Sequence, residues 1–206
     1  MATGCSFYSS SVEAVESGDV DLSCYNLVDI VLGKQKTTTV GRGAAPKRYK
    51  CFSERLQSVV TSYLNSKGAL FVSGAYIGTD LLGNGATAAA QTFAAKALHI
   101  SFMGGNATSN AVVSTASRMP SGFAVREYNF CRDYRPDYYK VGSVDGFAPA
   151  SGGKAIIRYT DSALAAAIGY KGEDCSTFVM GFPFESIIGE QSRDLLMKDI
   201  VEYLIH

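Results

Sequence analysis

The stretch Ala69-Leu70-Phe71-Val72-Ser73-Gly74-Ala75-Tyr76-Ile77-Gly78 reads as a strand that runs into a glycine-flanked bend. Its first four residues are apolar without alternation, the pattern of a strand covered on both faces. Gly74 and Gly78 flank Tyr76 at the G-x-nucleophile-x-G spacing of an elbow, where a backbone turns sharply from strand to helix. The central position holds a phenol, and a phenol with a pKa of ~10 is a poor nucleophile for acyl transfer near neutrality.

Upstream, Leu27-Val28-Asp29-Ile30-Val31-Leu32 is a second near-continuous apolar run that ends at Gly33. Between the two runs, Ser53 is placed to cap a helix over Glu54–Ser66. Leu56, Val59, Val60, Tyr63 and Leu64 line one face of that helix, and Gly68 stands where a left-handed terminating residue is wanted. Residues 36–50 are polar and basic, with Gly41, Gly43 and Pro46, and read as a loop. Downstream, an Ala-rich helix is expected over 87–98 and a short strand over His99–Met103. From Gly104 to Gly153 the helical period disappears, and hairpins and loops are expected. Strands return at Ala155–Tyr159, Ala163–Tyr170 and Ser176–Met180. The last element is an amphipathic helix over Glu190–Ile205 with a stripe of Leu195, Leu196, Ile200, Val201 and Leu204. Strand–helix–strand–helix–strand implies an α/β fold with a mostly parallel sheet and right-handed crossovers. The β-rich 104–153 is then an insertion in it or an antiparallel extension of it.

Composition narrows the function classes. The 206 residues are 47% hydrophobic and 18% charged, enough to bury a core in a single domain spanning 1–206. Lys+Arg and Asp+Glu are 19 each, so there is no electrostatic footprint for nucleic acid or an anionic membrane surface. No apolar stretch approaches the ~18 residues that span a bilayer. Residues 1–20 lack the basic start and apolar run of a signal peptide. The short opening run Cys5–Tyr8, in place of a long first strand, leads us to expect further sequence upstream.

Five cysteines at irregular spacing and two histidines, His99 and His206, assemble no metal site, and no cofactor motif is found. Gly83-Asn84-Gly85-Ala86-Thr87-Ala88 fits G-x-G-x-x-A but follows no strand directly, and no acid lies between Asp80 and Glu127. The Tyr134-Arg135-Pro136-Asp137-Tyr138-Tyr139-Lys140 stretch suits stacking on sugar rings, or is a hairpin packed on the sheet.

A second turn, Gly181-Phe182-Pro183-Phe184-Glu185-Ser186, follows the last strand. Together with the Gly74–Gly78 elbow it resembles the class I glutamine amidotransferase-like domain, a flavodoxin-like fold. In that family an elbow cysteine and a histidine stand where this chain has Tyr76 and Glu185, while Gly74, Gly78, Gly181 and Phe184 keep the frame. The resemblance therefore implies a scaffold whose nucleophile and base are replaced. Leu27–Gln35 (LVDIVLGKQ), Leu70–Leu81 (LFVSGAYIGTDL) and Gly181–Ile187 (GFPFESI) also look like a domain of exported bacterial multidomain proteins labelled xanthan-lyase-like. That likeness implies a secreted or cell-surface parent, neighbouring domains as partners, and a glycan as ligand.

In open α/β sheets, ligands bind beyond the carboxyl ends of the strands. The residues expected there are Lys34, Gln35, Ser73, Tyr76, Asp80, Lys171 and Glu185. Three functions stay open. The cleft is a non-catalytic binding or structural site; or a hydrolase or lyase site in which Glu185 is the acid or base and Tyr76 a proton donor; or the chain is an interaction module for neighbouring domains.

Overall fold

The computed structural model describes residues 4–41, 47–115 and 123–205. Gly43 and Pro46 of the expected loop, and His206, lie outside the described residues.

The chain opens with helix α1 (Val12–Ser17), capped by the Ser11 hydroxyl, which accepts the Ala14 amide at 3.2 Å. Strand β1 (Leu27–Gly33) leads into a small antiparallel hairpin, β2 (Thr38–Val40) with β3 (Lys47–Tyr49). Thr37-Thr38-Thr39-Val40 is a β-branched run, and that local preference makes strand out of what reads by polarity as loop. Helix α2 (Glu54–Asn65) begins at Ser53, whose hydroxyl accepts the Leu56 amide at 3.0 Å. It ends differently from expectation, because the left-handed residue is Lys67 (φ 69°) and not Gly68. Gly68 is needed for space: a Cβ there would lie 2.4 Å from the Tyr63 ring.

Strand β4 (Ala69–Gly74) follows, then α3 (Ile77–Leu82), α4 (Ala88–Lys96) and β5 (Ile100–Gly105). The middle of the chain supplies β6 (Val112–Thr115), β7 (Glu127–Asn129) and β8 (Asp145–Pro149). The last elements are β9 (Lys154–Tyr159), β10 (Ala165–Lys171), β11 (Ser176–Met180), a 3-10 turn at Phe184–Ser186 and α5 (Glu190–Ile205).

Nine of these strands form one sheet in the order β1-β4-β11-β10-β9-β6-β7, with β8 pairing β10 and β5 pairing β8. This is an α/β, flavodoxin-like architecture, flanked by helices and continued by an antiparallel extension. The parallel pairings are β1 with β4 and β4 with β11; the others described in the sheet are antiparallel, so the sheet is mostly antiparallel where a mostly parallel one was expected, because short links such as that after β10 make hairpins. The neighbour of β4 is therefore β11 from the end of the chain, whereas β5 is held through β8. Strands from 104–153 pair directly with β9 and β10, so they share the sheet rather than stand apart from it.

Side-chain alternation along β4 divides the core. Leu70 and Val72 enter the layer with Leu56, Val60 and Phe93 under α2 and α4. Ala69 and Phe71 enter the layer with Phe178, Leu196 and Ile200 under α5. Each such fully buried aliphatic side chain contributes about 1.5–3 kcal/mol. In α5 the expected stripe is shifted: Leu196, Ile200, Tyr203 and Leu204 are buried, while Leu195 and Val201 are half-buried.

Candidate functional site

Because β1, β4 and β11 run parallel, their carboxyl ends share one rim. Gly33, Gly74 and the turn after Met180 meet there. At the end of β4 the chain turns with Ala75 N donating to Gly33 O at 2.9 Å. Tyr76 follows at φ −131°, ψ 26°, and begins α3 without a side-chain cap. The glycine frame is steric. A Cβ on Gly74 would lie 2.8 Å from Leu32 Cβ, one on Gly78 would lie 2.5 Å from Phe102 Cδ2, and one on Gly181 would lie 2.3 Å from the Asp145 carbonyl oxygen. Tyr76 thus stands on the tight bend leaving a strand flanked on both sides, half-buried, with Lys36 Nζ 5.4 Å from its ring centroid.

Glu185 occupies the 3-10 turn beyond β11, on the same rim. The phenol that engages it is Tyr139, whose hydroxyl donates to Glu185 Oε1 at 2.5 Å. Both groups lie over Gly33: a Cβ built there would be 3.3 Å from Glu185 Oε1 and 3.4 Å from the Tyr139 hydroxyl, and Gly33 is left-handed at φ 53°. Glu185 Oε2 is buried and has no hydrogen-bond partner among the described residues. Lys34 Nζ donates to Lys140 O at 3.0 Å and sits 5.5 Å from the Tyr139 ring centroid. Burial, and then the hydrogen bond and charge of Glu185, push the Tyr139 phenol upward, so it stays protonated.

Asp29 completes the group from within β1. Desolvation of its carboxyl, and then the charge of Glu185, push it up to about 7. β1 ends the strand order of the sheet, and Asp29 as a residue is exposed there. Ser73 pairs with Val31 in the β1–β4 register and shares the face of Asp29. It is fully buried, and its hydroxyl has no partner.

The remaining expected residues are placed otherwise. Asp80 accepts the Thr37 amide at 2.8 Å, the Thr37 hydroxyl, and the Cys51 amide at 2.6 Å, so both oxygens lock loops together. Gln35 is similarly used, its Nε2 donating to Lys50 O at 2.6 Å. Lys171 stands on the opposite rim. β10 is antiparallel to β11, and Lys171 pairs with Ser176, whose parallel partner is Ala69 at the start of β4. There its Nζ lies 5.8 Å from the Tyr203 ring centroid.

The rim therefore brings together Lys34, Ser73, Tyr76 and Glu185. It leaves Lys171 out, holds Asp80 and Gln35 in the scaffold, and adds Asp29 and Tyr139. Asp29 had a signal, being the one charge in an otherwise apolar run. Tyr139 belongs to a tyrosine-rich stretch whose members the sequence does not rank. Chemically, the group offers a fixed carboxylate oxygen, a carboxyl poised to hold or release a proton near neutrality, a protonated phenol and an ammonium. Among the described residues, no three His, Cys, Asp or Glu side chains gather as a metal site, and no helix is long and apolar enough to cross a membrane.

No family model matches the chain, and no curated protein is similar to it. Solved structures with a similar fold include Gan42B, a GH42 beta-galactosidase, at a TM-score of 0.51 and 11% identity, over 89% of this chain and 22% of that one. Another is the cytoplasmic protein STM3548 from Salmonella typhimurium, at a TM-score of 0.51 and 10% identity, over 95% of this chain and 76% of that one. The chain thus spans about a fifth of the length of the beta-galactosidase it matches. At these identities the likeness is one of fold.

Proposed function

We propose that the rim around Glu185 is a carbohydrate-binding site in a non-catalytic, glutamine-amidotransferase-like accessory domain. Its parent would be a larger glycan-handling protein, secreted or at the cell surface, whose neighbouring domains are its partners. The observation that carries the reading is the placement of Glu185: Tyr139 fixes its Oε1 in an exposed contact over Gly33, on the rim that also holds Lys34 and Tyr76. That oxygen keeps a further lone pair, with which a ligand hydroxyl forms a charge-assisted bond. Tyr76 at the elbow and Glu185 on the last turn supply neither thiolate nor imidazole, which supports a site that binds rather than transfers an acyl group. The fold shared with part of a GH42 beta-galactosidase supports a carbohydrate setting.

Isothermal titration of the intact chain against neutral oligosaccharides tests this reading. Binding is expected, weakened at least tenfold by Glu185→Gln, with the circular dichroism spectrum unchanged. Failure of every sugar to bind at millimolar concentration overturns it.

A second reading is favoured by one feature, Asp29 at about 7 beside the Glu185 carboxylate. A carboxyl that holds its proton near neutrality, next to a second carboxyl, is the kind of donor that a glycoside hydrolase or polysaccharide lyase requires. Sugar release that is abolished by both Asp29→Asn and Glu185→Gln in a folded chain selects it.

A further inference from the structure

We infer that Tyr134, across the turn from the Tyr139 that holds Glu185, is an aromatic platform that stacks on a second sugar ring, so that the ligand is an oligosaccharide of pyranose units; this rests on the carbohydrate reading of the same rim. Residues 134–139 fold back on themselves, with an antiparallel bridge between Arg135 and Tyr138 and with Pro136 and Asp137 as the turn. Tyr134 and Tyr139 are the next residues outward on the two arms of that turn.

Their environments differ sharply. Tyr138 anchors the loop: its hydroxyl accepts the Gly189 amide and Arg193 Nη1, both at 3.0 Å, and the Arg193 guanidinium lies 5.5 Å from its ring centroid. Lys34 holds the other flank through Lys140 O. Tyr139 is spent on Glu185. Tyr134 alone is 96% exposed, an aromatic ring carried on a loop pinned at both sides. Val31, 60% exposed on the Asp29 face of β1, extends the apolar surface toward the carboxylates.

The ligand chemistry follows from this pairing of surfaces. A pyranose ring presents a C–H face, slightly positive, to the negative face of an aromatic ring, and hydroxyls at its rim to a carboxylate. One ring held at Glu185 brings the next ring of an oligosaccharide within reach of Tyr134. The loop backbone is pinned before binding, so ordering the platform costs only the two side-chain torsions of Tyr134.

The test is calorimetry on the intact chain with cellotetraose, β-1,4-galactotetraose and mannotetraose, each beside its monosaccharide. At least one tetrasaccharide is expected to bind more tightly than its monosaccharide. Tyr134→Ala weakens that tetrasaccharide about tenfold while Tyr134→Phe retains it. Monosaccharide affinity is unmoved by Tyr134→Ala, whereas Glu185→Gln weakens both ligands. Tyr8→Ala, at another exposed tyrosine, leaves both affinities unchanged. Equal affinity for monosaccharide and tetrasaccharide, or a tetrasaccharide insensitive to Tyr134→Ala, overturns the platform and leaves the Glu185 site standing. No binding by any sugar overturns both. The exposure of Tyr134 separates lost affinity from lost folding, which the circular dichroism spectrum checks.

Discussion

Asp145 accepts both the backbone amide of Thr79, at 2.9 Å, and its hydroxyl, at 2.6 Å. The carboxylate is fully buried and ties the first turn of α3 to the start of β8. The bend that carries Tyr76 is thus fixed by an acid far away in sequence. Asp145→Ala leaves two donors without partners. It should cost about 1.5–3 kcal/mol in urea unfolding, with Asp145→Asn intermediate because it keeps one acceptor. A neutral Asp145→Ala would show that the tie is not structural.

Asp29 and Asp145 should make stability fall as pH rises toward neutrality. Burial pushes Asp145 up to about 6, and Asp29 stands at about 7, both above the ordinary carboxylate value. The native state then holds more protons than the unfolded chain between about pH 4 and 7, so these two groups favour folding most at the acid end of that window. Asp161 opposes them: hydrogen bonds from Ser109 and Thr108 hold it well below its ordinary value, and its contribution is lost on acidification below about pH 4. His99, held below its ordinary value by burial, opposes Asp29 and Asp145 within that window, so in melting curves from pH 4.5 to 7.5 Asp29→Asn should gain stability relative to wild type as pH rises.

The Asp29 carboxyl signal, followed by NMR, should titrate near 7. Glu185→Gln removes the neighbouring negative charge and should move that midpoint downward. An unmoved midpoint would place the two carboxyls too far apart to act together.

Gly181 and Gly142 make a matched pair. A Cβ on Gly181 meets the Asp145 carbonyl at 2.3 Å, while one on Gly142 meets nothing within 4 Å. Gly181→Ala must push β11 and β8 apart and should cost about 1–3 kcal/mol, whereas Gly142→Ala should stay within about 0.5 kcal/mol. Equal effects would contradict the close approach at the rim.

Thiol labelling reads the packing of the cysteines. Cys5 and Cys24 are exposed and should react first in the native protein; Cys175, half-buried and pushed upward by burial, should follow slowly. Cys51 and Cys131 are buried, and Cys51 is pushed up by burial and by the charges of Asp80 and Asp145, so both should react only in denaturant. Rapid labelling of Cys51 would mean that the loop over Asp80 opens in the native state.

Much of the scaffold was legible because it depends on neighbours in sequence. The cap at Ser53, the stripe of α2, the apolar run of β4 and the glycines around Tyr76 each report a local rule, and each appears where it was expected. The placement of Lys171 shows where such reading stops. The connection from Lys171 to Ser176 is closed by a Gly172 N to Cys175 O hydrogen bond, and a link this short makes a hairpin. Once β10 is antiparallel, its carboxyl end faces away from Tyr76. The signal was present in the loop length and was outweighed by the apolar pattern of the strand.

From the order of residues alone came the α/β class and the bend at Gly74–Gly78, because spacing, capping and strand burial are written locally. Folding in three dimensions chose Tyr139 as the partner of Glu185, brought Asp29 beside it, withdrew Lys171 and committed Asp80 to the scaffold. Those outcomes depend on strand direction and on contacts between residues tens of positions apart, which no short stretch of chain specifies.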